Sequence, residues 1–185
     1  MSTQNERQKK IDGFVKELLN WNRRINLIGR STEESVYKTH IEDSLSLYPY
    51  LIKESVEYII DIGSGGGLPS IPLSIFIPEK HFILTEVDLK KIAFLEYVIR
   101  KLKLNAEVVN VNEGFCFEKE CIVISRAYSS IKNILKWGNR HALLNKRFYI
   151  LKGLEEKIEK EVAEAKVRNY GKIKLERGYI VIIEV

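Results

Sequence analysis

The sequence predicts an α/β fold: a mostly parallel seven-stranded sheet with an N-terminal helical extension and a C-terminal antiparallel hairpin. Three observations predict it. From residue 58 onward, short apolar runs rich in β-branched residues alternate with stretches of helical spacing, which is the pattern of strand–helix–strand units. The last two strand-like runs are separated only by a turn, so they pair as a hairpin. Before Tyr58 there is helical spacing and no strand signal. A chain of 185 residues fits one domain, read as a helical extension over 1–55 and an α/β core over 56–185.

The elements follow in order. Ile11, Phe14, Val15, Leu18 and Leu19 repeat at helical intervals, so residues 5–22 form an amphipathic helix. Val36, His40, Ile41, Leu45 and Tyr48 predict a second helix, capped by Ser31 or Thr32 and ended before Pro49. YIIDI (58–62) and HFILTEV (81–87) read as buried strands, with about two helical turns in IPLSIFI between them. Ile92, Leu95, Val98, Ile99 and Leu102 share one face of the next helix. AEVVNV (106–111) and CIVIS (121–125) are strands, SIKNILKWGNRHALL (130–144) a helix, and RFYIL (147–151) a strand. Residues 154–168 form a charged helix with Leu154, Ile158, Val162 and Ala165 on one side. KIKLE and YIVIIEV, joined through Arg177-Gly178, close the chain.

Composition narrows the function. The polar, basic N-terminus lacks the apolar core of a secretory signal, and no apolar run approaches the length of a membrane span. Two cysteines, Cys116 and Cys121, and three histidines match no zinc spacing, so reduced thiols, no metal and a cytoplasmic location are expected. A net charge of +5, clustered at Arg23-Arg24, Lys90-Lys91, Arg100-Lys101 and Lys146-Arg147, suits a polyanion such as nucleic acid, though solubility alone also accounts for a small excess.

Four glycines crowd the exit of the first strand in DIGSGGGLPSIPL (61–73). Bare backbone there lets a ligand approach closely, and the carboxyl edge of an open α/β sheet is where ligands bind. Pro69 and Pro72 suit the first turn of the helix that follows. The dinucleotide pattern G-x-G-x-x-G is not completed: counted from Gly63 its last glycine falls on Leu68, and counted from Gly65 it falls on Ser70. The spacing present is D-x-G-x-G-x-G, Asp61 to Gly67, the nucleoside loop of enzymes that use S-adenosylmethionine. On this reading the loop N–H groups and the Asp61 carboxylate face the methionine part. Glu86, ending the second strand, accepts hydrogen bonds from the ribose hydroxyls. A plain tight turn from strand to helix is the bland alternative, and a nicotinamide-linked dehydrogenase is the rival disfavoured by Leu68 and Ser70.

WNRRINLIG (21–29), THIEDSL (39–45), the G-x-P-x-I-P-L element beginning at Gly67, Lys90 to Leu95, ISRAYSS (124–130) and FYILKG (148–153) occur in this order. Together they resemble the bacterial ribosomal RNA small-subunit methyltransferase G family, also called glucose-inhibited division protein B, over nearly the whole chain. The resemblance implies a Rossmann-like class I fold. It also implies transfer of a methyl group from S-adenosylmethionine to N7 of a guanine in 16S rRNA, nucleotide 527 of the decoding-region loop, with S-adenosylhomocysteine as product.

Carried over by motif, Gly63 and Leu68 would contact the cofactor, with Gly65 and Gly67 in the same loop. Glu86 would be the acidic residue of the second strand, and Asn112 and Glu113 would flank the adenine. Arg126 of the S-R-A motif would bind cofactor and substrate, and His40 with Asp43 would form the H-x-x-D-S piece. The family usually has arginine before that histidine, where this chain has Thr39 beside Lys38, and often glycine where Ser70 stands. The implied partner is 16S rRNA or a small-subunit particle; the oligomeric state is open from the sequence, with a monomer expected.

Guanine N7 carries a free lone pair, so no general base is expected; Arg126 is the candidate for positioning the substrate. Arg126 could also order the pocket by pairing with Glu86 or Asp61. Lys152, at the carboxyl end of its strand, is a candidate phosphate contact or a solvated lysine, and His40 a packed polar group or a substrate contact. Trp21 and Trp137 read as core aromatics. A methyltransferase acting on another RNA or a small molecule, or a non-catalytic module binding S-adenosylmethionine or RNA, shares the same loop.

Overall fold

A computed structural model describes residues 3–143 and 146–184. Leu144 and Val185, at the ends of the expected helix over 130–144 and of the last strand, and Met1 and Ser2 of the polar N-terminus lie outside the described residues. Seven strands form one sheet: β1 (Tyr58–Ile62), β2 (His81–Glu86), β3 (Ala106–Asn110), β4 (Cys121–Arg126), β5 (Arg147–Lys152), β6 (Tyr170–Lys174) and β7 (Tyr179–Glu184). Their order is β3-β2-β1-β4-β5-β7-β6. β1 to β5 are parallel, and β7 runs antiparallel to both β5 and β6.

The order reverses between β1 and β4, and that is where an open α/β sheet leaves a ligand crevice. The glycine loop leaves β1 and Arg126 ends β4, so the two flank the crevice.

The pleat divides β1 between two core layers. Ile59 faces the layer of α1 (Gln4–Asn22), α4 (Ser70–Phe76) and α5 (Leu89–Leu102). Ile60 and Ile62 face the layer of α6 (Ile131–Arg140) and α7 (Glu155–Ala165). α1 starts with a capping box, Thr3 with Glu6. It then lays Ile11, Phe14 and Leu18, all at most 2% exposed, on α4 and α5. The N-terminal segment therefore shares one core with the sheet. α5 is capped by Asp88, which accepts from the N–H groups of Lys90 and Lys91, and ends at Lys103 in left-handed conformation.

Several boundaries differ from expectation. The second helix starts at Tyr37 with a π-helical turn and continues as α2 (Glu42–Leu45), while Arg30–Thr32 is a separate 3₁₀ turn. Pro49 does not follow a helix; it stands in the first turn of short α3 (Tyr48–Leu51), where its missing N–H has no partner to lose. β3 stops at Asn110, whose side chain accepts from the Asn112 N–H and turns the chain into a 3₁₀ segment. β6 begins at Tyr170, ahead of the expected KIKLE.

The closing hairpin turns at Leu175–Gly178, where the Leu175 N–H donates to the Gly178 carbonyl. Gly178 has φ +83°, and a Cβ there would lie 2.1 Å from the Lys152 carbonyl oxygen. Only glycine lets the hairpin rest on the end of β5 this closely.

Candidate active site

The glycine loop borders a cleft of about 450 Å³ at the carboxyl edge of β1, β2 and β4, within the roughly 300–1,000 Å³ of small-ligand sites. Gly63, Gly65 and Gly67 have φ of +69°, +54° and +79°, so the loop follows a path that side chains resist. The three glycines do different things. A Cβ on Gly65 would meet only the Gly63 carbonyl oxygen, at 3.8 Å, so that face is open to the cleft. A Cβ on Gly67 would meet Ile71 Cγ1 at 2.5 Å and Leu95 Cδ2 at 3.1 Å, so Gly67 is a packing glycine turned away from the cleft lining. Gly63 carries the ring of Tyr128, whose Cδ2 would lie 2.2 Å from an added Cβ.

Most of the loop's N–H groups are bonded within the protein, where the sequence reading had the whole run face a ligand. Gly63 donates to Thr85 Oγ1, Ser64 to the Thr85 carbonyl, Gly65 to Glu86, and Gly67 and Leu68 to the Ser64 carbonyl. Each of these donors finds a partner inside the protein. What remains for a ligand is bare Cα surface, carbonyl oxygen and the Gly66 N–H, which has no partner among the described residues.

Glu86 is 8% exposed and lines the cleft. Its Oε2 accepts from the Gly65 N–H at 2.9 Å, and its Oε1 accepts from the Val87 and Asp88 N–H groups at 2.8 and 3.2 Å. The carboxylate thus holds the loop and stays in place at the wall.

Asp61 lies behind the loop, 1% exposed, and is not part of the cleft lining. Its Oδ2 accepts from Ser70 Oγ at 2.8 Å, and its Oδ1 has no partner among the described residues. Burial pushes its carboxyl up to about 7, against the hydrogen bond from Ser70.

Arg126 joins the sheet to the N-terminal segment. Its Nε donates to Asp43 Oδ2 at 2.6 Å, and its terminal nitrogen to the Thr39 carbonyl and to His40 Nδ1, each at 3.1 Å. It pairs with Asp43, and not with Glu86 or Asp61 as the sequence had also allowed. Burial, and then the Arg126 charge, lower the His40 imidazole to about 4, so it is neutral at pH 7. Arginine can only donate, so His40 Nδ1 accepts and its proton sits on Nε2. That N–H donates to Thr32 Oγ1 at 2.7 Å, and the Thr32 hydroxyl donates to the Gly29 carbonyl at 2.7 Å.

Gly29, with Leu27 and Ile28, lines the cleft opposite the glycine loop. Spacing did not reveal this wall. Asn22, 2% exposed, builds it: its side-chain oxygen accepts from the Leu27 and Ile28 N–H groups, and its amide donates to Glu33. The signal was a polar residue at the end of an apolar helix face. Ser64, Gly66, Lys91, Ala127 and Tyr128 also line the cleft, and none of them was assigned to it from the sequence.

The remaining expected residues lie elsewhere. Leu68 lines the cleft. Asn112 and Glu113 are exposed in the turn after β3, at the same sheet edge but outside the cleft lining. Lys152 lines a neighbouring cavity, where its ammonium donates to Glu161 Oε2 at 2.7 Å and to the Ser129 carbonyl at 2.6 Å. Its charge is spoken for within the fold. Trp21 packs against Phe94 and Tyr97, and Trp137 against Phe115 and His141. Both cysteines are free, and burial pushes the Cys121 thiol up to about 11. Among the described residues no cluster could hold a metal ion, and no helix is long and apolar enough to cross a membrane.

Solved structures share this architecture. A methyltransferase from Geobacter sulfurreducens aligns with a TM-score of 0.60 at 12% identity, over 99% of this chain and 97% of that one. A protein solved in complex with S-adenosylmethionine aligns with a TM-score of 0.55 at 14% identity, over 96% of this chain and 76% of that one. The fold, with a glycine loop and an acidic residue on adjacent strands at the switch point, is that of a class I S-adenosylmethionine-dependent methyltransferase. A family model described as rRNA small subunit methyltransferase G matches residues 7–177, and the chain belongs to that family. A relative from Brachyspira hyodysenteriae named ribosomal RNA small subunit methyltransferase G is 38% identical over 166 residues, covering 89% of this chain and 80% of the relative.

Proposed function

We propose that this chain transfers the methyl group of S-adenosylmethionine to N7 of a guanine in 16S rRNA, nucleotide 527 being the family site. The observation that carries the reading is Glu86. Its carboxylate is fixed at the cleft wall beside the open face of Gly65, where a nucleoside sugar and a cationic sulfonium would each find their chemical match. Asp61, buried behind the loop and bonded to Ser70, supports the loop from the side away from the cleft.

S-adenosylmethionine supplies an electrophilic methyl group. When bound it would pass that methyl to the N7 lone pair, leaving the bonding electron pair on sulfur and the positive charge on the purine. N7 needs no proton removed. The protein's work is to hold N7 about 3–3.5 Å from the methyl carbon, in line with sulfur. Gly63, Gly65, Leu68 and Glu86 contact the cofactor. Asp61 and Gly67 shape the loop from behind, and Asn112 and Glu113 border the adenine end. Arg126 and His40 hold the crevice wall, and Lys152 braces the adjoining cavity. The enzyme works as a monomer in the cytoplasm.

The test is incubation of small-subunit particles lacking the modification with radiolabelled S-adenosylmethionine, followed by mapping of the label. Label at the family guanine is expected. Label at another nucleotide, or none, would overturn the reading.

A further inference from the structure

Beside the cofactor cleft lies a second cavity of about 990 Å³, between the ends of β4 and β5 and the tip of the closing hairpin. The two spaces share one wall, Arg126–Ala127–Tyr128. We propose that Tyr128 and Arg177 hold the target nucleotide in this cavity, Tyr128 as the platform under its base and Arg177 as the contact to its phosphate. The inference rests on the functional reading above and gives roles to two residues to which the sequence reading assigned none.

Two observations single out Tyr128. Ala127 is in left-handed conformation, φ +53°, an arrangement side chains adopt at a cost. It carries the chain from buried β4 to a Tyr128 that is 44% exposed. The ring lies on the Cα of Gly63, and its hydroxyl has no partner among the described residues. The aromatic face thus stands where cofactor and acceptor must meet, held by neither a core contact nor a hydrogen bond from its own hydroxyl. Chemistry explains why an aromatic belongs there. During transfer the purine acquires positive charge, and a π face attracts a cation more than a neutral ring. Stacking on Tyr128 therefore strengthens toward the transition state, the condition for raising turnover and not merely binding.

Arg177 follows from a census of the cavity's charges. Its two carboxylates are both engaged, Asp43 by Arg126 and Glu161 by Lys152 and, at 4.0 Å, by the exposed Lys157 that also lines the cavity. Arg177 is exposed, reaches the Thr39 hydroxyl at 3.1 Å, and has no carboxylate partner among the described residues. Its forked donors are available to a phosphate.

The test is steady-state methylation of small-subunit particles by Y128A, Y128L, Y128F, R177A and the unaltered enzyme over a range of salt concentrations, with S-adenosylmethionine affinity measured by calorimetry. Y128A is expected to lower kcat by about 5- to 150-fold, the range of lost base stacking, with cofactor affinity undiminished. Y128L keeps bulk without a π face and should be as slow, which covers a Y128A that fails to fold; Y128F should stay near the unaltered rate. R177A is expected to raise KM with kcat retained, and to reduce the slope of log KM against log salt by about 0.7, one phosphate contact on single-stranded RNA. Normal turnover by Y128L, or loss of cofactor affinity in proportion to kcat, overturns the platform. An unchanged salt slope for R177A overturns the phosphate contact. An unaltered enzyme that labels no particle sinks the functional reading instead.

Discussion

Arg126 Nε donates to Asp43 Oδ2 at 2.6 Å, bridging 83 positions of sequence and fastening α2 to the end of β4. Both side chains are mostly buried, 17% and 15% exposed. Removing one leaves the other charge short of a partner in a place water reaches poorly. Asp43→Ala is expected to lower unfolding free energy by about 2 kcal/mol, between the values for exposed and fully buried pairs. It should also release Arg126 from its fixed position. Urea midpoints would measure the first effect and methylation kinetics the second; a variant unchanged in both would refute the fastening role.

Gly65 and Gly67 are two residues apart in one loop, yet replacing them should do different damage. Gly65→Val places a branched side chain in open cleft space at positive φ. It should abolish S-adenosylmethionine binding while costing only about 1–2 kcal/mol of stability. Gly67→Ala drives a methyl group into Ile71 and Leu95, and an overpacked core costs about 1–3 kcal/mol on top of the same backbone strain. Calorimetry and urea unfolding on both variants would separate ligand loss from fold loss. Equal cofactor affinity in Gly65→Val and the parent would remove the loop from the site.

Glu86→Ala should weaken S-adenosylmethionine binding by about 1.5–3 kcal/mol, the worth of hydrogen bonds to a charged group. It should also loosen the loop, because the Gly65, Val87 and Asp88 N–H groups lose their acceptor. Glu86→Gln keeps an acceptor oxygen without the charge and should fall between. The ordering of the three dissociation constants is the readout, and a nicotinamide dinucleotide binding in place of S-adenosylmethionine would contradict it.

Two buried groups give stability opposite dependences on pH. His40 has a folded value near 4 against an ordinary 6.5. Its contribution is therefore full above pH 6.5 and lost as pH falls through 4. Asp61 is shifted the other way, to about 7 from 3.8, so its contribution is full below pH 3.8 and lost as pH rises through 7. In urea titrations from pH 4 to 8, His40→Gln should flatten the fall on the acid side. Asp61→Asn should remove the decline toward neutrality. Parallel pH curves for parent and variants would disprove both assignments.

The parts legible in the sequence were those written in local pattern. β1, β2, β4 and β5 are continuous apolar runs because both faces of a parallel sheet are covered. Gly65 and Glu86 were legible as cleft residues because one lies in the loop that leaves β1 and the other ends β2, both at the ligand edge. Other features depend on tertiary placement. Lys152 looked free, but Glu161 comes to it from α7. Leu27–Gly29 form a wall only because Asn22 folds them back, in a stretch with no periodicity. Tyr128 reaches the cleft through the backbone turn at Ala127, which spacing does not encode. Pro49 marked a boundary correctly but on the wrong side, since proline begins short helices as readily as it follows long ones.

The 2.1 Å that would separate a Cβ on Gly178 from the Lys152 carbonyl oxygen makes that glycine a clearance gauge for the far end of the molecule. Any side chain there must prise the hairpin tip off β5, and the neighbouring Arg177 would travel with it. A methyl group added at this one position would thereby reshape the wall of the neighbouring cavity that Arg177 and Gly178 line.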